Sequence, residues 1–334
     1  MHVFIAGGTG YIGLNVSKKL IGSGHQVSSI ALPPLHEDLD IPKAMHITLG
    51  NYMEMDDESL NKLFSGIDVF IFAAGVDERL AFKNPKESYQ KYNIDPLEKL
   101  LKKAKTMGVK KTLVLGSYFS YFAKKWSYLN LEKKHPYIES RIKQEQIALS
   151  YSDEQMIVSV FELPYIFGVE PGRKPVWSMF IDLFEKPKII FFPKGGTTMM
   201  TINQVGTSIK NWCEKSDRSE LIPMGYYQKT WKEMIKIMLT AMGQPRKHVI
   251  TLPNFLIQIG LNKRAKHDKK EGIISGLNPH YLLEILSKNA YIDKSFMINL
   301  GVGDDDIDQA IYDSISYALK IKKQAREVLD MKAF

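Results

Sequence analysis

Only one cysteine, Cys213, occurs in 334 residues. A single thiol excludes an intramolecular disulfide and a cysteine-built zinc site, and it suits a reducing compartment. No apolar run approaches the ~20 residues that a bilayer-spanning helix needs. The N-terminus, MHVFIAGGTGYIG, lacks a basic stretch followed by a long apolar segment. No signal peptide is therefore expected, and a cytoplasmic location is. Internal repeats and low-complexity tracts are also missing. Disorder over most of the chain is excluded by a hydrophobic content of 44%, which is ample for a buried core. The length allows one large domain or two.

Charge leans basic, with 45 Lys and Arg against 37 Asp and Glu. The lysines are spread in pairs such as Lys102–Lys103, Lys110–Lys111, Lys124–Lys125 and Lys133–Lys134. The densest run is Lys263-Arg264-Ala265-Lys266-His267-Asp268-Lys269-Lys270. These read as solvated loops and helix faces. Basic residues interleaved with aromatics on one face, the pattern that binds nucleic acid, are not found. A small-molecule substrate is expected, with no nucleic-acid or membrane partner.

What is present begins with an alternation. His2–Ala6 is short, apolar and β-branched, and runs into a glycine cluster. Tyr11–Gly22 has helical spacing, and Gln26–Leu32 reads as a second strand stopped by Pro33-Pro34. Strand, helix and strand within about 30 residues form a βαβ unit. Further strands are expected at 44–49, 68–74, 112–115 and 157–161, with helices between them at 57–64, 95–106 and 137–150. Six strands alternating with helices predict a doubly wound α/β parallel sheet of the Rossmann type. After Gly168 the texture changes to Pro171, Pro175, Pro187 and Pro193, with Gly195-Gly196 following. Helical patterns return at 230–241, 279–287 and 304–329. The expected division is a dinucleotide-binding domain over 1–168 and a smaller, mixed, mainly substrate-binding lobe over 169–334, interleaved with the first.

The glycine cluster carries the first chemistry. Gly7-Gly8-Thr9-Gly10-Tyr11-Ile12-Gly13 follows the first strand and opens the first helix. Gly7 permits a tight turn, Gly10 lets backbone approach a pyrophosphate, and Gly13 lets helix pack on strand. Amides at the helix N-terminus then face the anion.

At this point the chain resembles the extended short-chain dehydrogenase/reductases, the NAD(P)-dependent epimerase/dehydratase group. AGGTGYIG is similar to that family's TGxxGxxG loop, and FIFAAG at 70–75, ending in Ala73, Ala74 and Gly75, to its fourth-strand motif along the cofactor. Asn93 resembles the asparagine that starts the family's fourth helix. LPYIFG at 163–168 resembles its RPxxVYG stretch, whose backbone meets the nicotinamide, which implies contacts from Pro164 and Ile166.

The resemblance implies a Ser, Tyr and Lys chemistry. Ser117 follows the strand at 112–115, where the family places its Ser. Tyr137 lies in HPYIESR, similar to the family's PYxxSK, and Glu145 fits the glutamate that follows. Position 141 is Arg rather than Lys. Arg supplies a fixed charge and can grip ribose hydroxyls bidentately, but it releases no proton at any working pH. Lys143 is expected on another helix face. A literal Tyr-xxx-Lys at Tyr121–Lys125 starts four residues after Ser117 and reads as a loop coincidence.

Cofactor choice follows from another absence. The family's NAD-preferring members end the second strand with an acid, whereas Ala31 and Leu32 stand there. With no acid to repel a 2′-phosphate, the expectation is NADP or NAD with a lean to NADP. His36 and Lys43 are candidate phosphate contacts, and adenine is expected near Asn51 and Tyr52. The Asp-Glu pair of the dehydratase branch is missing after Ser117, and the diphosphate-binding Arg of sugar-nucleotide members is missing after Gly195-Gly196. The expected wall of Tyr165, Phe167, Trp177, Met179, Phe180 and Met199 fits an apolar carbonyl or alcohol. The resemblance therefore implies an NAD(P)-dependent oxidoreductase with Tyr137 as acid/base. Two alternatives stay open, a nucleotide-sugar epimerase of the same fold and a non-catalytic NAD(P)-binding regulator. No metal is expected, and the oligomeric state is left open to a homodimer.

Overall fold

The computed structural model describes residues 1–323. Through the first half the order is β1 (His2–Ala6), α1 (Tyr11–Gly22), β2 (Gln26–Ala31), β3 (Met45–Leu49), α2 (Asp57–Phe64), β4 (Val69–Phe72), β5 (Ala81–Phe82) and α3 (Pro85–Tyr89). It continues with α4 (Asp95–Thr106), β6 (Lys111–Leu115), α5 (Tyr118–Lys125), α6 (Leu131–Lys134), α7 (Pro136–Ser150), β7 (Ile157–Glu162) and β8 (Tyr165–Phe167). The second half runs α8 (Met179–Glu185), β9 (Ile189–Phe192), β10 (Gly196–Thr201), α9 (Ile202–Lys215), β11 (Leu221–Pro223), β12 (Tyr227–Thr230) and α10 (Trp231–Ala241). Then come β13 (His248–Thr251), α11 (Asn254–Lys270), β14 (Ile274–Ser275), α12 (Pro279–Leu286), β15 (Asn289–Ala290), α13 (Ser295–Asn299) and α14 (Ile307–Lys323). The part of the helix expected over 304–329 that lies past Lys323 falls outside the described residues.

Seven strands form one parallel sheet in the order β11-β7-β6-β4-β1-β2-β3. The winding runs outward from β1 to β3, then reverses and runs from β4 to β7. The reversal lies between β1 and β4, whose crevice at the carboxyl ends is where ligands bind in such sheets. Strand alternation feeds two cores. Val3 and Ile5 of β1 face one side with Leu20 of α1 and Trp212 of α9. Phe4 and Ala6 face the other with Phe64 of α2 and Leu97 and Leu100 of α4. A strand buried on both faces needs a continuous apolar run, which VFIA and VFIF supply.

The later residues interleave with this sheet. β11 adds its seventh strand beside β7, and α9 covers α1's face with its fully buried Trp212. Sequence periodicity left α9 unassigned. Its start is nevertheless written as a reciprocal capping box, Thr201 with Gln204, ahead of Ile202, Val205, Ile209 and Trp212 at helical spacing. A second, four-strand sheet carries β8, β10, β12 and β15. Tyr121–Lys125, expected in a loop, lies on the helix α5. Ser117 caps that helix by accepting from the Phe119 amide at 3.4 Å, so the strand end turns directly into a helical segment. Among the described residues, no helix is long and apolar enough to cross a membrane.

The glycine loop sets a contrast between two positions. A Cβ at Gly13 would stand 2.1 Å from the Gly7 carbonyl oxygen, but one at Gly10 meets only that oxygen, at 3.0 Å. Gly13→Ala is expected to cost about 2 kcal/mol or more of stability in urea unfolding, the scale of an overpacked backbone contact. Gly10→Val should keep more of the fold and lose dinucleotide affinity in calorimetry. Equal stability losses in the two variants would refute this division of roles.

Candidate active site

β1 ends at Ala6, and Gly7 takes φ 90°, a left-handed value that glycine adopts without strain. The chain folds tightly there, with the Gly10 amide donating to Gly7 at 2.9 Å. Thr9 is buried in this loop. α1 opens at Tyr11 with no acidic residue in its first turn, which keeps the positive end of the helix dipole available to an anion. Ile12 lines the adjoining cleft. Tyr11 turns its hydroxyl to the Gly168 carbonyl at 3.1 Å.

The cleft lies at the carboxyl ends of β1, β4, β6 and β7 and encloses about 170 Å³. Ala73, Ala74 and Gly75 form one side, with Leu163, Pro164, Tyr165 and Ile166 opposite. Ser117, Tyr137 and Arg141 all line it. The family resemblance implied these three together, and the fold brings all three to the cleft. Tyr137 sits in the first turn of α7, and Arg141 follows one turn later on the same face. The Arg141 guanidinium carbon lies 5.0 Å from the centroid of the Tyr137 ring.

Arg141 is buried and bound to neutral groups. Nη1 donates to Gln144 Oε1 at 2.7 Å and to the Leu115 carbonyl at 3.4 Å, and Nη2 donates to the Val76 carbonyl at 3.4 Å. Its Nε has no partner among the described residues. Asn93 is a clamp on the same loop: its Oδ1 accepts from the Val76 amide at 2.7 Å and its Nδ2 donates to the Val76 carbonyl at 2.9 Å. Gln144 completes the tie by donating to the Asn93 carbonyl at 2.8 Å. Both side-chain ends of Asn93 are thereby engaged by the protein.

Lys143 points away from the cleft to Gln90. Glu145 is also outside it, buried with Ser120 and Glu162 beside the half-exposed Lys124. Ser120 donates to Glu145, and Lys124 bridges Glu145 at 2.9 Å and Glu162 at 2.7 Å. Tyr121 and Lys125 lie outside the cleft lining, with the Lys125 ammonium over the Tyr121 ring.

The expected apolar wall divides. Tyr165 and Trp177 line the cleft, stacked with ring centroids 3.9 Å apart at 4°. Phe167, Phe180 and Met199 are core residues outside the lining, and Met179 is exposed. Asp77, Glu78 and the buried, unpartnered Trp177 Nε1 take their place. The cleft is thus more polar than the sequence pattern implied. The readable signal was the acid pair Asp77-Glu78, one residue beyond FAAG. Asp77 is held by Arg79 at 2.7 Å. Around the adenine-side expectations, Leu32 is exposed just beyond β2, and the Asn51 carbonyl Oδ1 accepts from the Met53 amide at 3.0 Å. Tyr52 is buried with Leu60 and Phe64, and burial lifts its phenol to about 12. The His36 ring accepts from the Asp38 amide at 3.4 Å.

Burial raises the Tyr137 phenol well above its ordinary value; the Arg141 cation opposes this, Glu78 and Asp77 add to it, and a hydrogen bond with Ser117 pulls it down. The phenol therefore keeps its proton at neutral pH. Burial first and Asp77 second push the Glu78 carboxyl up to about 7, with Arg79 and Arg141 opposing. Burial and the Glu145 charge likewise push Glu162 up to about 7 against the pull of Lys124. His135 moves the other way, down to about 4, through burial and then Lys134.

These shifts fix signs for stability. A carboxyl raised in the folded state stabilises at low pH and loses that contribution as pH climbs from about 4.5 to 7. A histidine lowered to about 4 stabilises above 6.5 and loses that contribution as pH falls through 4. Glu162→Gln should be near neutral at pH 5, where wild type already holds the proton. At pH 8 it should be more stable relative to wild type by on the order of 1–3 kcal/mol. Urea melts at the two pH values test this, and a pH-independent difference would refute it.

Residues 3–205 match the NAD dependent epimerase/dehydratase family. Among curated proteins no relative matches the sequence. The solved structure of gox2253 superposes with a TM-score of 0.74 at 15% identity, covering 97% of this chain and 98% of that one. UDP-glucose 4-epimerase from Thermotoga maritima, solved with UDP-glucose, gives 0.69 at 15% identity, over 96% and 100% of the chains. UDP-glucose 4-epimerase from Bifidobacterium longum, solved with NAD+ and UDP, gives 0.67 at 15% identity, over 98% and 99%. At these identities the likeness is one of fold.

Proposed function

This chain belongs to the NAD dependent epimerase/dehydratase family, and from that premise we propose that it is an NAD(P)-dependent oxidoreductase acting on a carbonyl or secondary alcohol. The observation that carries the reading is the meeting of Ser117, Tyr137 and Arg141 in one cleft, at the reversal of strand order beside the glycine loop. The residues fit a dinucleotide. Gly7, Thr9, Gly10, Tyr11, Ile12 and Gly13 would hold the pyrophosphate on a helix end free of acids. Leu32, Asn51 and Tyr52 flank the adenosine end. Ala73, Ala74 and Gly75 would line the middle, with Asn93 behind them holding the Val76 backbone, and Pro164 and Ile166 would meet the nicotinamide. The cofactor supplies or accepts the hydride. Residues 1–168 would carry it, and Val176 and Trp177, from the lobe that begins at 169, would face the substrate.

Ser117 holds the substrate oxygen, and Tyr137 moves the proton on it. Burial keeps the Tyr137 phenol protonated, so it can donate to the nascent alkoxide when a carbonyl is reduced. Arg141 holds its charge beside the phenol and grips ribose, but it cannot return a proton. Glu78, a cleft acid with a value of about 7, can. At the end of β2, Ala31 and Leu32 offer no acid to repel a 2′-phosphate, so NADPH is read as the preferred form. The solved neighbours named as epimerases support a second reading, in which hydride returns to the same substrate; a tightly held, co-purifying cofactor would favour it.

Tyr137→Phe should lower turnover by ~10²–10⁴-fold, the scale of a positioned acid, and leave NADPH affinity nearly unchanged. Arg141→Lys should keep or raise activity, and Arg141→Met should damage both binding and turnover. Full activity in Tyr137→Phe with a dead Tyr121→Phe would overturn the assignment. In side-by-side titration NADPH should bind at least as tightly as NADH, and a clear preference for NADH would reverse the cofactor reading.

A further inference from the structure

α11 has no buried residue along its 17-residue length. Its inner side rests on α12 and the β14 segment: Gln258 donates to the His280 carbonyl at 2.9 Å, and Asp268 accepts from Ser275 at 3.1 Å. Its outer side has two halves. The first two turns present Phe255, Leu256 and Ile259, which are 67%, 41% and 52% exposed. The last turns carry Lys263, Arg264, Lys266, Lys269 and Lys270. At 100° per residue, Phe255, Ile259, Lys263, Lys266 and Lys270 fall on one side of the helix. Asp268 is the only acid of this run, and it approaches Arg264 at 3.9 Å. Lys263, Lys266, Lys269 and Lys270 have no carboxylate partner among the described residues.

A second element continues the apolar part. β9 and β13 form a separate two-stranded parallel ribbon in which Phe191 is the register partner of Ile250. The inward residues Ile190 and Val249 join the core. The outward Ile189, Phe191 and Ile250 are 40%, 50% and 41% exposed. β13 leads through Leu252 and Pro253 directly into α11. Six large apolar side chains are therefore open to solvent, three on the ribbon and three in the first two turns of a helix whose far half is cationic. Scattered exposed apolar residues need no explanation, but a set on adjoining elements beside an uncompensated basic cluster does.

We propose that α11 and the β9–β13 ribbon dock this protein on an anionic lipid bilayer surface. The charge pattern selects that occupant. Phe255, Leu256, Ile259 and the ribbon's Phe191 and Ile250 enter the acyl boundary. The lysines of the later turns reach the phosphate layer on their long stems. A peripheral surface of this kind needs no spanning segment, so the absence of one, which led the sequence reading to expect no membrane partner, does not bear on it. The inference is independent of the proposed reaction, since it concerns lipid binding by residues outside the cleft. It does place the docking surface on the chain that leads to the site: α11 continues through β14 to Gly276, whose carbonyl accepts from the Tyr137 amide at 3.1 Å.

The test is flotation of the full chain with vesicles of phosphatidylcholine alone or of phosphatidylcholine mixed with phosphatidylserine. The protein should float with the mixed vesicles, stay behind with the neutral ones, and be released by high salt, which screens the lysine–phosphate attraction. Phe255→Ser with Ile259→Ser, and separately Lys263→Glu with Lys266→Glu and Lys270→Glu, should each weaken binding roughly tenfold or more. Both variants should keep the wild-type melting temperature and NADPH affinity, because the altered side chains are exposed and remote from the cleft lining. Phe255→Trp should show a blue-shifted emission on mixed vesicles. Absence of flotation with anionic vesicles, or flotation that neither variant set reduces, overturns the proposal. So does sedimentation showing a dimer that Phe255→Ser breaks without any vesicle binding, which would assign the patch to a second copy of the chain.

Discussion

The site depends on a buried cation. A guanidinium removed from water costs several kcal/mol unless its protons find partners, and Arg141 finds them in the Leu115 and Val76 carbonyls and the Gln144 amide oxygen. Those partners belong to the ends of β6, the loop after β4, and α7 itself. Satisfying one side chain therefore ties two backbone carbonyls at the carboxyl edge of the sheet to α7. Asn93 reinforces the same loop by pairing both Val76 backbone groups. The cleft that Ser117 and Tyr137 share takes its shape from this knot.

The charges around the knot are distributed unequally. Asp77 is paired with Arg79, and Asp77 and Glu78 both line the cleft with Arg141 and Tyr137. Further along α7, Glu145 and Glu162 share one cation, the half-exposed Lys124. Tyr137, Arg141 and Glu145 are successive four-residue steps along one stripe of the helix, so the first two reach the cleft and the third reaches Ser120 of α5.

The second half of the chain completes the first. β11 and α9 finish the dinucleotide-type sheet, and β8 leaves that sheet to pair with β10. The segment after α11 is clasped to the start of α7, where Gly276 accepts from Tyr137 and the Asn278 amide donates to the His135 ring at 3.0 Å. A change in the position of α11 is therefore felt at the turn that carries Tyr137. This coupling arises from backbone hydrogen bonds between segments about 140 residues apart, which local sequence patterns do not encode.

Much of the fold was written locally. The apolar runs at 2–6 and 69–72, the glycine spacing over 7–13, the proline opening α4 and the glycines closing α1 and α4 each have a short-range physical cause, and they determined the alternating α/β order. The four-residue spacing of Tyr137 and Arg141 likewise fixed that both would share a face. Tertiary structure decided the rest. It placed Tyr121–Lys125 on a helix outside the cleft, because Ser117 caps a segment that short-range reading took for a loop. It turned Phe167, Phe180 and Met199 into core, since an aromatic residue reads alike whether it meets substrate or another ring. It carried β11 back across some 60 residues to the sheet, and it brought Asp77 and Glu78 into the cleft beside the expected Trp177. Burial and pairing depend on which distant surfaces meet, and a sequence states that only after the chain has closed on itself.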